Sequence, residues 1–341
     1  MEPRAMGKKI AVLGAGSWGI AIAGLLRANE HQVTLWEFNK ADCDALLKNR
    51  IHHDKLPGVK IDEDVLITNI VNEAVAGSEY VVLAVPAQKV RDVCNALNSL
   101  ISTKTCFVNL AKGVEMGTLL RMSEVIEANI EMADIDRIAT LSGPSHAEEV
   151  AAGIPTSVVA ASVNDKFVED IQRIFSNKTF RVYRSIDLTG VELGGSLKNV
   201  IAIASGILQG MGLGDNTTGA LITRGLAEIT RMGVKLGADP ETLAGLSGIG
   251  DLITTCISRH SRNRYVGDRI GRGEKLKDIL NSMVMVAEGV DTCRSAYEMS
   301  RKYDVEMPIT DEVYKVLFED KSPKEAVVDL MTRPLKDEVW R

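Results

Sequence analysis

The sequence predicts an α/β fold in which a doubly wound sheet precedes an all-helical domain. Up to about residue 185, strand-like apolar segments alternate with helix-like segments, a pattern typical of a parallel sheet covered on both faces by right-handed crossovers. After Asp187 the strand signals stop and long segments with helical apolar spacing follow. Because 341 residues are more than one core usually holds, we expect a sheet domain over residues 1–187 and a helical domain over residues 188–341.

The individual elements follow from runs of apolar residues that end in glycine, proline or small polar residues. The predicted strands are Ile10–Leu13, Val33–Trp36, Val65–Thr68, Tyr80–Val85, Cys106–Leu110, Ile138–Leu141, Ser157–Ala161 and Phe180–Tyr183. The predicted helices of the second domain are Leu188–Gln209, Thr217–Leu236, Pro240–Ala244, Arg262–Gly271, Val290–Lys302 and Asp311–Phe318. Ligands bind beyond the carboxyl ends of the strands in open sheets, so residues 85–86, 112–113 and 142–145 should face one crevice.

A glycine motif follows the first predicted strand and opens an amphipathic helix. Gly14 allows a tight turn, Gly16 lets the backbone approach a pyrophosphate, and Gly19 lets the helix pack closely on the strand. The amides at the start of the helix then face the phosphates. This context predicts a dinucleotide-binding domain of the Rossmann type.

The second predicted strand is followed by Glu37, at the place where an acidic residue binds the hydroxyls of the adenosine ribose. Glu37 therefore favours NAD. No arginine occupies positions 37–40, but Lys40 could hold the 2′-phosphate of NADP. The sequence leaves the choice between NAD and NADP open.

The segment from Glu192 to Gly206 contains a lysine in an otherwise apolar helical pattern. Lys198 and Asn199 stand among residues at helical spacing, and no further charge follows until Asp215. A buried ammonium group is costly unless it meets a carboxylate or a substrate, so Lys198 is a candidate catalytic residue. The alternative is a lysine that buries its methylene chain and extends its charge to solvent.

Two polar clusters in the second domain are further candidates. Asp251 lies in a glycine-flanked segment at a predicted helix start, either in a site or as a simple N-cap. The segment Ser261–Arg264 suits a phosphate, because guanidinium groups bind its oxygens bidentately, although a solvated basic turn would look similar. Lys112, which follows a buried strand, has the same two interpretations.

Composition narrows the class of protein. A formal net charge of −6 and the lack of basic runs with aromatic residues argue against a nucleic-acid partner. The five cysteines are scattered, without a C-x-x-C pair or clustered histidines, which favours free thiols in a reducing compartment and no metal site. The longest uncharged segment is short and rich in glycine, so we expect no membrane insertion and a cytoplasmic protein. The small residues of the helical half are compatible with a homodimer interface.

These motifs together resemble the NAD(P)-dependent glycerol-3-phosphate dehydrogenases of the bacterial type. The resemblance covers about residues 8–330 and is carried by Gly14–Gly19, Ala111–Gly113, Ser142–Ser145, Glu192–Asn199, Gly248–Leu252, Ser261–Arg264 and Val286–Gly289. It implies the reversible reduction of dihydroxyacetone phosphate to sn-glycerol 3-phosphate, the backbone precursor of glycerophospholipids. The cofactor contacts that it implies are Ser17, Trp18, Lys112, Ala147, Arg262, Val286 and Glu288, to which the motif analysis adds Gly14, Gly16, Gly19, Glu37 and Phe38. The substrate contacts that it implies are Lys112, Gly143, Ser145, Lys198, Asp251, Ser261, Arg262 and Asn263.

The chain departs from this family at two places. His146 stands where the family often has phenylalanine, and we interpret it as a packing residue, with titration in the crevice as the alternative. Glu37 and Phe38 stand where bacterial members often carry a basic residue, which again leaves the cofactor preference open.

The expected chemistry is hydride transfer to a ketone, with Lys198 as the general acid that protonates the alkoxide and as the base in reverse. Asp251 would hold Lys198 in place, and its charge would oppose the lowering of the lysine pKa by burial, so the sequence does not give the direction of the shift. Arg262 and Asn263 would bind the phosphate. The alternatives are a β-hydroxyacid or 6-phosphogluconate dehydrogenase, which also uses a lysine, and a dinucleotide-sensing protein without catalysis.

Overall fold

The sheet of this protein is built from the eight predicted strands. The computed structural model describes residues 7–338, so residues 1–6 and 339–341 of the two predicted domains lie outside the described residues. The strands are β1 Lys9–Leu13, β2 Gln32–Trp36, β3 Leu66–Thr68, β4 Tyr80–Leu83, β5 Cys106–Asn109, β6 Ile138–Ser142, β7 Thr156–Ala161 and β8 Phe180–Ser185. Their order is β3-β2-β1-β4-β5-β6-β7-β8, which confirms the doubly wound α/β fold. The strand order reverses between β1 and β4, the position at which such sheets bind ligands.

The last two strands, β7 and β8, depart from the parallel arrangement that the alternating pattern predicts: they are parallel to each other but run opposite to the other six strands. β6 and β7 pair antiparallel, with Leu141 opposite Ala160, whereas all other neighbouring strands are parallel. Only residues 143–155 join these strands, and they contain the short helix Ala147–Ala151. A parallel crossover usually contains a helix that carries the chain back along the sheet. The five residues of α6 rise only about 7.5 Å, which is shorter than a strand, so this connection returns the chain in the opposite direction.

Helices cover both faces of the sheet and form the rest of the molecule. In the first half they are α1 Ser17–Ala28, α2 Lys40–Asn49, α3 Val71–Val75, α4 Val90–Leu97, α5 Met122–Asn129, α6 Ala147–Ala151 and α7 Asp165–Phe175. In the second half they are α8 Leu188–Gly210, α9 Asp215–Lys235, α10 Pro240–Leu243, α11 Asp251–Ile257, α12 Arg262–Gly271, α13 Leu276–Asn281, α14 Glu288–Lys302, α15 Pro308–Phe318 and α16 Pro323–Met331. The six predicted helices are present, and α11 begins at Asp251, where a helix start was predicted, whereas α13 and α16 were not predicted. The division of the chain into domains at residue 187 stays a prediction.

Helix α8 is the central element of the helical half. It is the one helix among residues 7–338 that is long and apolar enough to cross a membrane, and its apolar window is wholly buried inside the protein. A helix that is hydrophobic on all sides and surrounded by protein is typical of a core helix. Its burial explains why a lysine on this helix cannot reach solvent.

Glycines bring α8 and α12 into close contact. A Cβ atom on Gly206 of α8 would lie 2.1 Å from the carbonyl oxygen of Arg264, and one on Gly267 of α12 would lie 2.0 Å from that of Ile203. These distances are far below van der Waals contact, so only glycine lets the two backbones meet. The packing fixes α12 against the C-terminal half of α8.

Candidate active site

A cleft of about 360 Å³ opens at the carboxyl ends of β1 and β4 and extends to α8, α11 and α12. It is lined by residues from all three segments that were predicted to share a crevice, including Val85, Lys112 and Ser145. The cleft therefore joins the glycine loop after β1 to the polar clusters of the helical half.

The glycine loop fits the pyrophosphate of a dinucleotide. Gly14 has φ +113°, and a Cβ there would lie 2.9 Å from the carbonyl carbon of Ala84. A Cβ on Gly19 would lie 1.8 Å from the carbonyl oxygen of Gly14, so Gly19 packs behind the loop and does not line the cleft. A Cβ on Gly16 would have no neighbouring atom within 4 Å. This open side faces the cleft and leaves room for phosphate oxygens near the start of α1.

Beyond the loop, the cleft is lined by the predicted residues Ser17, Trp18, Glu37 and Phe38. Glu37 is buried, with Oε1 accepting from the amide of Asn39 at 2.9 Å and Oε2 accepting from Lys55 Nζ at 3.2 Å. Lys55 was missed by the sequence analysis. It follows β2 by 19 residues in an irregular loop, and no local pattern connects it with Glu37.

Lys40, which the sequence suggested as a partner for the 2′-phosphate of NADP, lies outside the cleft. Its side chain is 74% exposed, pairs with Asp44 at 3.5 Å and does not line the cleft. The first turn of α2 points this side chain to solvent, and the expectation for Lys40 is therefore wrong.

At the other end of the cleft, two lysines share one carboxylate. Lys198 Nζ donates to Asp251 Oδ1 at 2.9 Å, and Lys112 Nζ donates to Asp251 Oδ2 at 2.7 Å. Lys198 is 5% exposed and Asp251 is 2% exposed. The alternative in which Lys198 extends its charge to solvent is wrong, because α8 is buried on all sides. Thr255, one helical turn after Asp251, also accepts from Lys198 Nζ, at 2.5 Å.

The charges of this cluster control its protonation. Burial lowers the pKa of Lys198 to about 8, although Asp251 opposes the shift, and Lys112 lowers the pKa further. Burial would raise the pKa of Asp251, but the ammonium groups of Lys112 and Lys198 outweigh it and hold that pKa below its usual value. With both lysines protonated, the cluster carries one net positive charge, which suits an alkoxide or a phosphate.

Asp251 owes its position to an irregular stretch before α11. Leu246–Gly250 form a single π-helical turn that leads directly into α11, so Gly250 is the N-cap and Asp251 is the first helical residue. Asp251 makes no capping hydrogen bond. The N-cap interpretation is wrong, because the side chain turns to the lysines instead. A π-turn of this kind often marks a functional site.

The predicted phosphate cluster lies at the N-terminus of α12. The Ser261 hydroxyl caps this helix by accepting from the amide of Arg264 at 3.2 Å. Asn263 is buried and donates to Asn199 Oδ1 at 2.8 Å. Asn199 in turn donates to the carbonyl of Lys112 at 3.1 Å. This chain of amides ties α12 to α8 and to the loop after β5.

Arg262 is exposed but faces the cleft. Its guanidinium group donates to the carbonyl of Val286 at 2.9 Å, and both residues line the cleft. The position of Arg262 beside the cleft favours the phosphate interpretation of the segment, which stays a prediction. The remaining N–H groups of Arg262 extend the positive charge of the lysines along the cleft.

The other predicted residues fall into two groups. Ser145, Ala147, Val286 and Glu288 line the cleft. Glu288 accepts from the amide of Ala87 at 3.1 Å, and burial raises its pKa. Gly143 does not line the cleft, and its carbonyl instead accepts from Lys112 Nζ at 2.9 Å. Gly143 thus places the lysine without facing the cleft.

His146 also borders the cleft. Its ring lies 5.7 Å from that of His260, and its Nε2 atom is buried without a hydrogen-bond partner among residues 7–338. Burial, and after it the charge of Lys198, lowers the pKa of His146, so this imidazole is neutral at pH 7.

One group of potential metal ligands occurs in the described part of the chain. Side-chain atoms of Glu37, Asp42 and His52 lie within 4.8 Å of one another. Lys55 Nζ lies 3.2 Å from Glu37 and 3.4 Å from Asp42, so an ammonium group already supplies a positive charge there. The expectation that no metal is bound stays a prediction.

Comparison with known proteins agrees with this geometry along nearly the whole chain. Residues 9–168 match the NAD-dependent glycerol-3-phosphate dehydrogenase N-terminus family, and residues 187–328 match the corresponding C-terminus family. The chain is 51% identical to a glycerol-3-phosphate dehydrogenase [NAD(P)+] of Thermoanaerobacter sp. over 331 residues, which cover 97% of this chain and 99% of that protein. It is 49% identical to the enzyme of the same name from Chlorobium phaeobacteroides over 330 residues, or 97% and 99% of the two chains.

A solved structure gives the same result for the fold. The crystal structure of glycerol-3-phosphate dehydrogenase from Coxiella burnetii superimposes with a TM-score of 0.91 at 36% identity, over 96% of this chain and 99% of that one. The motifs, the cleft and these matches thus agree, and the chain belongs to the NAD(P)-dependent glycerol-3-phosphate dehydrogenase family of oxidoreductases.

Proposed function

We propose that the chain catalyses the reversible reduction of dihydroxyacetone phosphate to sn-glycerol 3-phosphate, with Lys198 as the general acid and base. The observation that carries this proposal is the buried pair of Lys198 and Asp251, which borders the same cleft as the glycine loop. When bound, the dinucleotide supplies the hydride in reduction and accepts it in oxidation.

Lys198 is suited to both directions of proton transfer. With a pKa of about 8 it is mainly protonated at pH 7 and can donate to the oxygen of the carbonyl group as that oxygen becomes an alkoxide. Above pH 8 it is mainly neutral and can accept the proton of the alcohol. Asp251 and Thr255 fix the position of Nζ, since both contact it.

The substrate phosphate is proposed to bind where α12 begins. Arg262, the backbone amides at the start of α12 and the positive charge around Lys112 face this part of the cleft. One N–H of Asn263 is used by Asn199, so Asn263 mainly orients the site and offers its remaining N–H. Binding of the phosphate would orient the carbonyl carbon, which is how remote binding energy accelerates a reaction.

The test of this assignment is the variant Lys198→Ala, assayed by NADH oxidation with dihydroxyacetone phosphate. Loss of a general acid lowers kcat by roughly a hundredfold or more, while NADH binding followed by fluorescence should stay near that of the wild type. Lys235→Ala, which removes an exposed lysine at the end of α9, is the matched control. If Lys198→Ala keeps kcat within a few-fold of the wild type, Lys198 is a structural residue.

We further propose that the product serves glycerophospholipid synthesis in the cytoplasm, and that the chain acts as a homodimer. The five cysteines have no disulfide partners, which supports a reducing compartment. Replacing the gene by its Lys198→Ala allele should make growth dependent on added glycerol 3-phosphate, and unaffected lipid synthesis would contradict the proposal. Cell fractionation and sedimentation test the location and the oligomeric state.

A further inference from the structure

Lys55 lies at the ribose end of the cleft, next to the carboxylate expected to bind the ribose. Its ammonium group is 3.2 Å from Glu37 Oε2 and 3.4 Å from Asp42 Oδ2. Its side chain is 21% exposed and lines the cleft together with Glu37 and Phe38. It is thus a cation of the cleft, in contrast to the solvated Lys40.

The backbone of Lys55 is held at both ends. Its amide donates to His52 Nδ1 at 3.3 Å, and its carbonyl accepts from the hydroxyl of Ser17 at 2.5 Å. The next residue, Leu56, is 1% exposed and anchors the loop in the core. Because Ser17 begins α1 at the glycine loop, Lys55 has a fixed position relative to the place where the pyrophosphate binds.

The charges around Lys55 would interact differently with a ribose that carries a 2′-hydroxyl and with one that carries a 2′-phosphate. Glu37 and Asp42 contribute two negative charges and Lys55 one positive charge. His52 is buried, its Nε2 has no hydrogen-bond partner within residues 7–338, and burial followed by the charge of Lys55 lowers its pKa, so it adds no charge at pH 7. Without Lys55, a 2′-phosphate would face the carboxylate of Glu37 with no cation to offset it, since Asp42 lies behind Glu37 and Lys55 and does not line the cleft. A free 2′-hydroxyl is neutral and needs only an acceptor such as Glu37.

We propose that Lys55 is the residue that lets this chain accept NADP despite Glu37. Its ammonium group pairs with Glu37 when the ribose carries a 2′-hydroxyl and with the phosphate when the ribose carries a 2′-phosphate. A lysine on a flexible stem can make both contacts from one backbone position. The inference concerns the dinucleotide site alone and does not depend on the substrate or on the role of Lys198.

The experiment is direct binding of NADPH and NADH to Lys55→Met, followed by cofactor fluorescence without substrate. Loss of a charge-assisted contact should weaken NADPH binding by roughly 10- to 100-fold, while the Kd for NADH changes by less than about threefold. Lys40→Met is the matched control and should change neither Kd, because Lys40 is exposed outside the cleft. Lys55→Arg keeps the charge and should retain NADPH binding.

A second variant distinguishes an effect of the Lys55 charge from an effect of a local structural change in the loop around Lys55. Glu37→Gln removes the competing carboxylate and should improve NADPH binding relative to NADH, and this gain should shrink when Lys55→Met is added. Equal weakening of both cofactors by Lys55→Met, or no change in either, would show that Lys55 only supports the loop. Because no turnover is measured, an incorrect substrate assignment would leave this result unaffected.

Discussion

Replacing Asp251 by Asn tests whether the carboxylate keeps Lys198 protonated at neutral pH. The change preserves shape but removes the charge that contacts Lys198 at 2.9 Å and Lys112 at 2.7 Å. Burial and Lys112 both lower the pKa of Lys198, and Asp251 is the main group that opposes them. Without it, the pKa of Lys198 must fall below about 8.

The size of the fall follows from the strength of the lost contact. A hydrogen bond between charged groups contributes about 1.5–3 kcal/mol, and a change of one pH unit in pKa corresponds to ~1.4 kcal/mol. The pKa of Lys198 should therefore drop by about 1 to 2 pH units. In the variant, a protonated Lys198 would be a buried charge without its carboxylate partner, which costs about 3–5 kcal/mol. Loss of the proton from Lys198 avoids part of this cost.

The assay is the pH dependence of kcat/KM for reduction of dihydroxyacetone phosphate. Reduction needs the protonated lysine, so the wild-type rate should fall as the pH rises through about 8. In Asp251→Asn this fall should occur about 1 to 2 pH units lower, whereas Asp92→Asn, which breaks only an exposed pair with Lys89, should leave it in place. A fall that remains near pH 8 in Asp251→Asn would refute the electrostatic role of Asp251.

Two further predictions concern the phosphate and the helix contact that places it. Arg262→Lys keeps the charge but loses the bidentate fork, so kcat/KM for dihydroxyacetone phosphate should drop by roughly 10- to 100-fold, and that for phosphate-free dihydroxyacetone far less. An equal loss of kcat/KM for both substrates would show that Arg262 does not bind the substrate phosphate. Gly267→Ala puts a Cβ 2.0 Å from the carbonyl oxygen of Ile203, so urea denaturation should show a loss of about 1–3 kcal/mol or more. The control is Gly219→Ala on α9, where the added Cβ would have no neighbouring atom within 4 Å, and this change should be neutral or stabilising by up to about 1 kcal/mol. Similar changes in stability for Gly267→Ala and Gly219→Ala would contradict the close contact between α8 and α12.

Local chemistry made several features of this protein predictable from its residues. The spacing of Gly14, Gly16 and Gly19 after an apolar strand is a local requirement of the turn and of the helix that follows it, and the structure has that turn. The eight strands and the six helices first identified have apolar runs of their own. Lys198 stood out because a charge in an apolar helical pattern is costly, and its burial confirms the reasoning.

Other features depend on residues that are far apart in the chain. Lys112 and Asp251 are 139 positions apart, and Lys198 and Asp251 are 53 apart, so no local pattern could show that two lysines share one carboxylate. The direction of the Lys198 pKa shift depends on the balance between burial and these two neighbours. The reversed direction of β7 and β8 depends on the short helix α6, which does not carry the chain back along the sheet.

Lys55 illustrates the same limit on the cofactor side of the cleft. The sequence offered Lys40 because it is close to Glu37 in the chain, but the first turn of α2 points that side chain to solvent. Lys55 reaches Glu37 through a loop whose path is fixed by contacts with His52 and Ser17. Proximity along the chain determines turns and helix caps, whereas the electrostatic partners of a buried charge are determined by the packing of distant segments.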